Sequence, residues 1–248
     1  MPWALVTGGG RRLGRAFVEA CADAGFAVAV HVHRSLEAGE EAVALVRQKG
    51  LPAELVVADL GSARAATTML EELARSGRAP ALLVNNAARF DHDRLESVAP
   101  EVFDRQVAVN LKAPLLTSQA FARHLPAGVQ GLIVNLVDQR ITRPDANYLS
   151  YGLSKAALWA LTQNLALALA PRIRVNAIAP GLALADVGMD EATQARIVGR
   201  FPLGTGGPVD DVVSALRYLI ATPSVTGQLL LVDGGAHLGR RARPQDVG

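Results

Sequence analysis

Tyr151 and Lys155 stand four residues apart in the stretch Tyr-Gly-Leu-Ser-Lys. On a helix that spacing puts both side chains on one face, one turn apart. A phenol is a poor proton donor or acceptor near neutral pH, because its unperturbed pKa is about 10. A neighbouring ammonium favours the phenolate and tunes the group for proton transfer to an oxygen or nitrogen. Solvated helices carry such pairs by chance, so this one gains meaning only from the rest of the chain.

A second set of residues suits an anion. Thr7-Gly8-Gly9-Gly10-Arg11-Arg12-Leu13-Gly14 follows a short apolar run and precedes a helical pattern. Glycines there permit close backbone approach, and a helix N-terminus attracts phosphate. A tight strand–helix turn would use the same glycines, but the position in a βαβ unit, with Arg11 and Arg12 alongside, favours phosphate. The next strand ends in His31-Val32-His33-Arg34-Ser35. Units that bind NAD carry an acid at that place for the ribose hydroxyls, whereas NADP requires cations for its extra phosphate. Here there is a guanidinium and a hydroxyl and no carboxylate, which favours NADP(H) over NAD(H).

These groups need a scaffold. Short apolar runs at 3–6, 26–30, 53–57, 81–84, 131–137, 173–178 and 228–232 read as strands. Helical patterns lie between them at 13–24, 36–49, 62–76, 100–124, 151–170 and 209–221, with a loop or short helices over 182–207. Strands that are continuous apolar runs alternating with helices predict a parallel sheet covered on both faces. The expectation is a single α/β domain over 1–238, doubly wound and Rossmann-like, with seven strands. An Arg-rich tail over 239–248 is expected to be mobile.

Composition narrows the class. Hydrophobic residues make up 50% of the 248 and charged ones 19%, enough for a packed core. Lys and Arg number 25 against 23 Asp and Glu, so no broad basic field favours nucleic acid as a partner. The one cysteine, Cys21, excludes a disulfide framework or a multi-thiolate zinc site and reads as a buried apolar residue. Neither a signal-peptide pattern nor an apolar run long enough for a bilayer is visible, so a cytoplasmic protein with no membrane partner is expected.

Taken in order, these motifs resemble the short-chain dehydrogenase/reductase family over essentially the whole chain. The resemblance rests on Thr7-Gly8 through Leu13-Gly14, Asp59-Leu60, Asn85-Asn86-Ala87, Asn110, Tyr151 with Lys155, Pro180-Gly181 and Val232-Asp233-Gly234-Gly235. Within the family the chain looks most like pteridine reductases and the bacterial dihydromonapterin or dihydrofolate reductases of the same fold. Arg12 replaces the middle glycine of the first turn, the second strand ends in His-x-His-Arg-Ser, and Phe90 follows Asn-Asn-Ala where that group stacks a ring on its pterin. The usual catalytic serine is absent, and Asp138 stands in its place, thirteen residues before Tyr151 (151 − 138).

The resemblance implies NADPH-dependent reduction of a pterin or folate-type C=N bond, with Tyr151 giving a proton to nitrogen and Asp138 assisting. Lys155 would hold the nicotinamide ribose and Asn110 a proton-relay water. The implied cofactor residues are Gly8, Arg11, Arg12, Leu13, Gly14, His31, His33, Arg34, Ser35, Asp59, Leu60, Asn86, Ala87, Tyr151, Lys155, Pro180 and Gly181. Those implied for substrate are Arg12, Phe90, Asp138 and Tyr151. A homotetramer, built on the long helices, is implied by resemblance alone.

Other features take plainer readings. Tyr148 lacks a lysine one turn on, since 148 + 4 is Gly152, and reads as packing or substrate wall. Asp91-His92-Asp93 has metal-ligand types without a second cluster, and its carboxylates are expected to be solvated. His124 and His237 show no evident partner, and Trp159 reads as packing. Arg89 is larger than the small residue expected beside Phe90; it either narrows the pocket or selects an acidic substituent. The rival activities are a carbonyl or 3-oxoacyl reductase, which Asp138 in place of serine disfavours, and a non-catalytic NADP(H)-sensing protein, which has no use for the Tyr151/Lys155 pair.

Overall fold

The computed structural model describes residues 1–183 and 190–239. Seven strands form one sheet: β1 (Trp3–Val6), β2 (Ala27–Val32), β3 (Ala53–Val57), β4 (Pro80–Asn85), β5 (Gly131–Leu136), β6 (Ile173–Pro180) and β7 (Leu229–Val232). All pairings are parallel, in the order β3-β2-β1-β4-β5-β6-β7. Helices α1 (Arg12–Asp23), α2 (Leu36–Gln48), α3 (Ala63–Arg75), α4 (Pro100–Val107), α5 (Ala113–His124), α6 (Leu149–Leu169), α7 (Glu191–Val198) and α8 (Val209–Ala221) complete the described chain.

The two-residue period of the strands decides which helices go where. Val6, Val28, Val30, Leu82 and Val84 face one side, where they join Phe17 and Cys21 of α1, Val46 of α2 and Leu216 of α8. Leu5, Ala29, Leu83 and Ile133 face the other, against Leu70 of α3 and Phe121 of α5. Both faces are therefore apolar, which is why β1, β2, β4 and β5 read as nearly continuous hydrophobic runs, while β3 carries Glu54 and β6 carries Arg174 and Asn176. No helix among the described residues is long and apolar enough to cross a membrane.

Three strands extend past their expected ends: β2 reaches Val32, β4 reaches Asn85 and β6 reaches Pro180. The expected single helix over 100–124 is instead α4 and α5 joined by a π turn over Ala108–Lys112. Pro114 explains the widening, because it has no N–H for the carbonyl of Asn110 and its ring would clash with that carbonyl in regular α geometry. Within the expected loop over 182–207, α7 is capped by Asp190, whose side chain accepts from the Thr193 amide at 2.7 Å. The remainder of that expectation at 184–189, and the tail expected at 240–248, lie outside the described residues.

The chain order reverses between β1, which is followed by β2 on one side, and β4 on the other. Ligands of open α/β sheets sit at the carboxyl ends of the strands at such a switch point. That location is where the motif residues gather.

Candidate active site

A cleft of about 1140 Å³ opens above the carboxyl ends of the strands. Gly8, Arg11, Arg12, Leu13, Gly14, His31, His33, Arg34, Asp59, Leu60, Asn86 and Ala87 line one end. Phe90, Asp138, Tyr151, Lys155, Pro180 and Gly181 line the other. Two expected site residues are not on its wall. Ser35 sits at the N-cap position of α2 without a side-chain cap bond. Asn110 is wholly buried behind the wall.

The first end is fixed by backbone hydrogen bonds. Thr7 donates its hydroxyl to the Val84 carbonyl at 3.2 Å and accepts from the amides of Asn86 and Ala87 at 2.9 and 3.0 Å. The Asn86 side-chain amide donates back to the carbonyls of Thr7 and Gly8 at 2.9 and 3.2 Å. A Cβ on Gly14 would lie 1.9 Å from the Gly8 carbonyl oxygen, so no larger residue fits beneath this turn. The α1 N-cap, Arg11, makes no side-chain cap bond and the first turn holds no acid, an arrangement suited to an anion. Arg12 adopts φ +52°, the left-handed backbone that the glycine it replaces would favour.

His31 anchors the same turn. Its Nδ1 accepts from the Gly8 amide at 3.1 Å, and its Nε2 lies 3.1 Å from the Ala58 carbonyl. That pattern requires the neutral ring protonated on Nε2. Burial pushes the pKa down from 6.5 to about 4, with the Ala58 hydrogen bond opposing. His31 is thus a structural pin for the cofactor-type turn as well as part of its wall. His33 stands 3.9 Å from the Asp59 carboxylate, and both are well exposed.

At the other end, α6 holds Tyr151 and Lys155 one turn apart, as their spacing predicts. Both are buried, at 6% and 2% exposure. The Tyr151 hydroxyl donates to Asp138 Oδ2 at 3.0 Å. Lys155 Nζ donates to the Leu136 carbonyl at 2.6 Å and lies 5.8 Å from the centre of the Tyr151 ring. Burial pushes its pKa down to about 8, while the Asp138 carboxylate works against that shift. A buried amine whose pKa is pushed well below its usual range, beside a phenol and a carboxylate, is a proton-handling arrangement.

Asp138 follows β5 and caps a 3₁₀ turn over Gln139–Ile141. Its Oδ1 accepts from the Arg140 amide at 2.8 Å, and the Arg140 guanidinium reaches its Oδ2 at 3.2 Å. The sequence reading overlooked Arg140. The same guanidinium approaches Asp145 at 3.6 Å and lies 5.3 and 4.8 Å from the ring centres of Phe90 and Tyr148. Phe90 stacks on Tyr148 at 4.4 Å with 12° between planes, and meets Tyr151 edge-on at 4.6 Å. Tyr148 thus packs on Phe90, which in turn meets Tyr151, and packing is one of the two plain roles expected for it. The signal for Arg140 was its place two residues after a capping acid, from which its side chain folds back onto the carboxylate.

Asn110 accepts from the Arg89 amide at 2.8 Å and donates to the Arg89 carbonyl and Ser154 hydroxyl at 2.9 and 3.0 Å. It fastens the loop before Phe90 to α6. Arg89 itself pairs with Asp91 at 3.0 Å. Two plain readings are corrected. Asp93 is not solvated but 3% exposed, because it accepts hydrogen bonds from Ser150. His237 has a partner, with its Nδ1 2.8 Å from Asp233 Oδ2. Among the described residues no cluster of three or more His, Cys, Asp or Glu could hold a metal ion. Cys21 is buried, with its thiol pushed up to about 12.

Comparison with known proteins gives consistent matches. The solved FolM alternative dihydrofolate reductase 1 of Brucella canis, complexed with NADP, is 38% identical, with a TM-score of 0.90 over 100% of this chain and 98% of that one. Human L-xylulose reductase is 38% identical over 93% of this chain and 94% of its own length. A putative ketoacyl reductase of granaticin polyketide synthesis from Streptomyces violaceoruber is 33% identical over 96% of both. The family model for short chain dehydrogenases matches residues 2–196. With that match, and the glycine turn and Tyr151/Lys155 pair in place on the sheet, the chain belongs to the short-chain dehydrogenase family.

Proposed function

We propose that the chain is an NADPH-dependent reductase of a ring C=N bond in a pterin or dihydrofolate-type substrate. The observation that carries this reading is the hydrogen bond from Tyr151 to Asp138, a carboxylate where a carbonyl reductase keeps a serine. A carboxylate accepts from the N–H groups of a nitrogen-rich heterocycle, whereas a ketone offers only an acceptor. The likeness to the Brucella canis dihydrofolate reductase supports the same substrate class.

The residues at the other end fit a phosphorylated dinucleotide. Gly8 and Gly14 leave a cradle that a Cβ would fill, and Arg11, Arg12 and Arg34 bring three guanidinium groups to its wall. No carboxylate belongs to the His31–Ser35 segment, so the site suits a 2′-phosphate better than a free ribose diol. The NADP complex of the Brucella canis relative supports this choice. When bound, NADPH would supply the hydride. Tyr151 gives its proton to the substrate nitrogen, Lys155 supports the phenolate left behind, and Asp138 holds the hydroxyl and recognises ring N–H groups. Phe90 and Tyr148 form an aromatic wall for a flat ring, and Asn110 fixes the loop that carries Phe90.

A second reading, reduction of a sugar or keto-acyl carbonyl, is favoured by the likeness to L-xylulose reductase. Following NADPH oxidation at 340 nm with dihydropterins, dihydrofolate, a ketopentose and a 3-oxoacyl thioester separates the two. Turnover on a dihydropterin or dihydrofolate is expected. Turnover on the carbonyl compounds alone would replace the first reading by the second.

A further inference from the structure

The acid of the Asp91–Asp93 run that has no role in the proposed chemistry is buried at the foot of the catalytic helix. Asp93 is 3% exposed, and Gln106 and Ser150 beside it are fully buried. Asp93 Oδ1 accepts from the Ser150 backbone amide at 3.1 Å, and its Oδ2 accepts from the Ser150 hydroxyl. The Gln106 side-chain amide donates to the same hydroxyl. Gln106 also grips the loop, accepting from the Asp91 amide and donating to the Asp91 carbonyl, both at 3.3 Å.

The backbones are joined as well. The Asp93 amide donates to the Asn147 carbonyl at 3.2 Å and the Leu149 amide donates to the Asp93 carbonyl at 3.4 Å, so Asp93 and Tyr148 form a parallel bridge. Tyr148 at the N-cap offers no side-chain cap to α6. Asp93 therefore caps, from the loop after β4, a helix whose third residue is Tyr151. Three residues before Asp93 stands Phe90, stacked on Tyr148. One buried carboxylate thus ties the ring wall to the proton donor.

We propose that Asp93 is a positioning residue for the Tyr151 hydroxyl and the Phe90–Tyr148 wall, acting through Ser150 and Gln106. This rests on the reading of Tyr151 as the proton donor. Losing the acceptor frees the first turn of α6 and the 90–93 loop together, which displaces the donor relative to the substrate. It leaves the glycine turn untouched, since no hydrogen bond of the knot reaches it. A catalytic group displaced by about 1 Å costs on the order of a hundredfold in rate.

Three variants test this: Asp93→Ala, Asp93→Asn and Ser150→Ala. For Asp93→Ala, kcat/KM for the reduced ring substrate is expected to fall on the order of a hundredfold, through both kcat and KM. NADPH affinity, read by fluorescence titration, is expected to stay within about twofold of wild type, as only the other end of the cleft moves. Asp93→Asn keeps an acceptor for the Ser150 amide and is expected to recover part of the loss, with Ser150→Ala between them. In parallel, hydrogen exchange is expected to quicken in peptides covering 87–95 and 147–155 of Asp93→Ala, and not in 12–23. Unchanged exchange in both segments would overturn the proposal. So would a fall in NADPH binding and turnover by the same factor, which marks general loss of fold. If the wild-type chain turns over no ring substrate, the proposed function fails by itself, and the exchange measurement still decides whether Asp93 holds the two segments.

Discussion

The two ends of the cleft are built in different ways. At the glycine turn, position is set by backbone: Thr7, Asn86 and His31 bond to main-chain atoms of Gly8, Val84, Ala58 and Ala87, and Gly14 has no room for a side chain. At the substrate end, position is set by side chains touching side chains, with Tyr151 on Asp138, Arg140 on Asp138, Phe90 on Tyr148 and Ser150 on Asp93. Backbone cradles tolerate few sequences, whereas side-chain networks have many solutions. The first end therefore leaves few residues to choose from, and the second is the end that we propose selects the substrate.

Substitutions can break this contrast at either end. The largest effect is expected from Tyr151→Phe, which removes the proposed proton donor while leaving the ring packed on Phe90. Its kcat should fall ~100- to 10,000-fold, with NADPH binding intact by fluorescence titration. Near-normal turnover would remove Tyr151 from its role. At the cofactor end, Arg34→Ala is expected to weaken NADPH binding about tenfold or more while NADH binding changes little, because a charge-assisted phosphate contact is lost. Equal loss for both cofactors would place Arg34 elsewhere.

A smaller effect concerns stability rather than rate. His31 is neutral in the fold down to pH about 4, whereas in the unfolded chain it takes up a proton below 6.5. The unfolded state therefore binds more protons in that window, and the fold loses up to about 3 kcal/mol as pH falls from 6.5 to 4. Urea denaturation of the wild-type chain and His31→Gln across this range should show a steeper loss for the wild type. Parallel curves would contradict the buried neutral ring.

The smallest effect is expected from Arg12→Gly. Glycine relaxes the φ of +52° but adds freedom to the unfolded chain, so the net change in stability is within about 1 kcal/mol of zero. Cofactor affinity should nevertheless fall, separating what Arg12 does for the ligand from what it costs the backbone. An unchanged NADPH dissociation constant would show that the guanidinium does not serve the ligand.

Legibility in the sequence follows the same division. The sheet could be read because both faces of its inner strands are covered, which makes most strands predominantly apolar runs, and the glycine turn could be read because geometry leaves few residues to choose from. Tyr151 and Lys155 could be read from the helical period. The π turn was hidden in a continuous helical pattern, although Pro114 marked its place. Asp93 was misread because its neighbours in sequence are polar and exposed, while its partner Ser150 lies 57 positions away. Arg140 was missed because it folds back onto Asp138, Asp145 and Tyr148 of its own loop, contacts too irregular to show a period, and it reaches Phe90 only when the loop after β5 meets the loop after β4. Pairings between distant loops leave no periodic trace.

The central claim, hydride delivery from NADPH to a ring carbon of a pterin-type substrate, is tested most directly by isotope transfer. The chain is incubated with a dihydropterin and NADPH carrying deuterium at both C4 positions, and the reduced pterin is weighed by mass spectrometry. One deuterium is expected in the reduced ring, its formation abolished in step with turnover by Tyr151→Phe. A reduced pterin without deuterium, or deuterium delivered only to a ketone offered in competition, would contradict it.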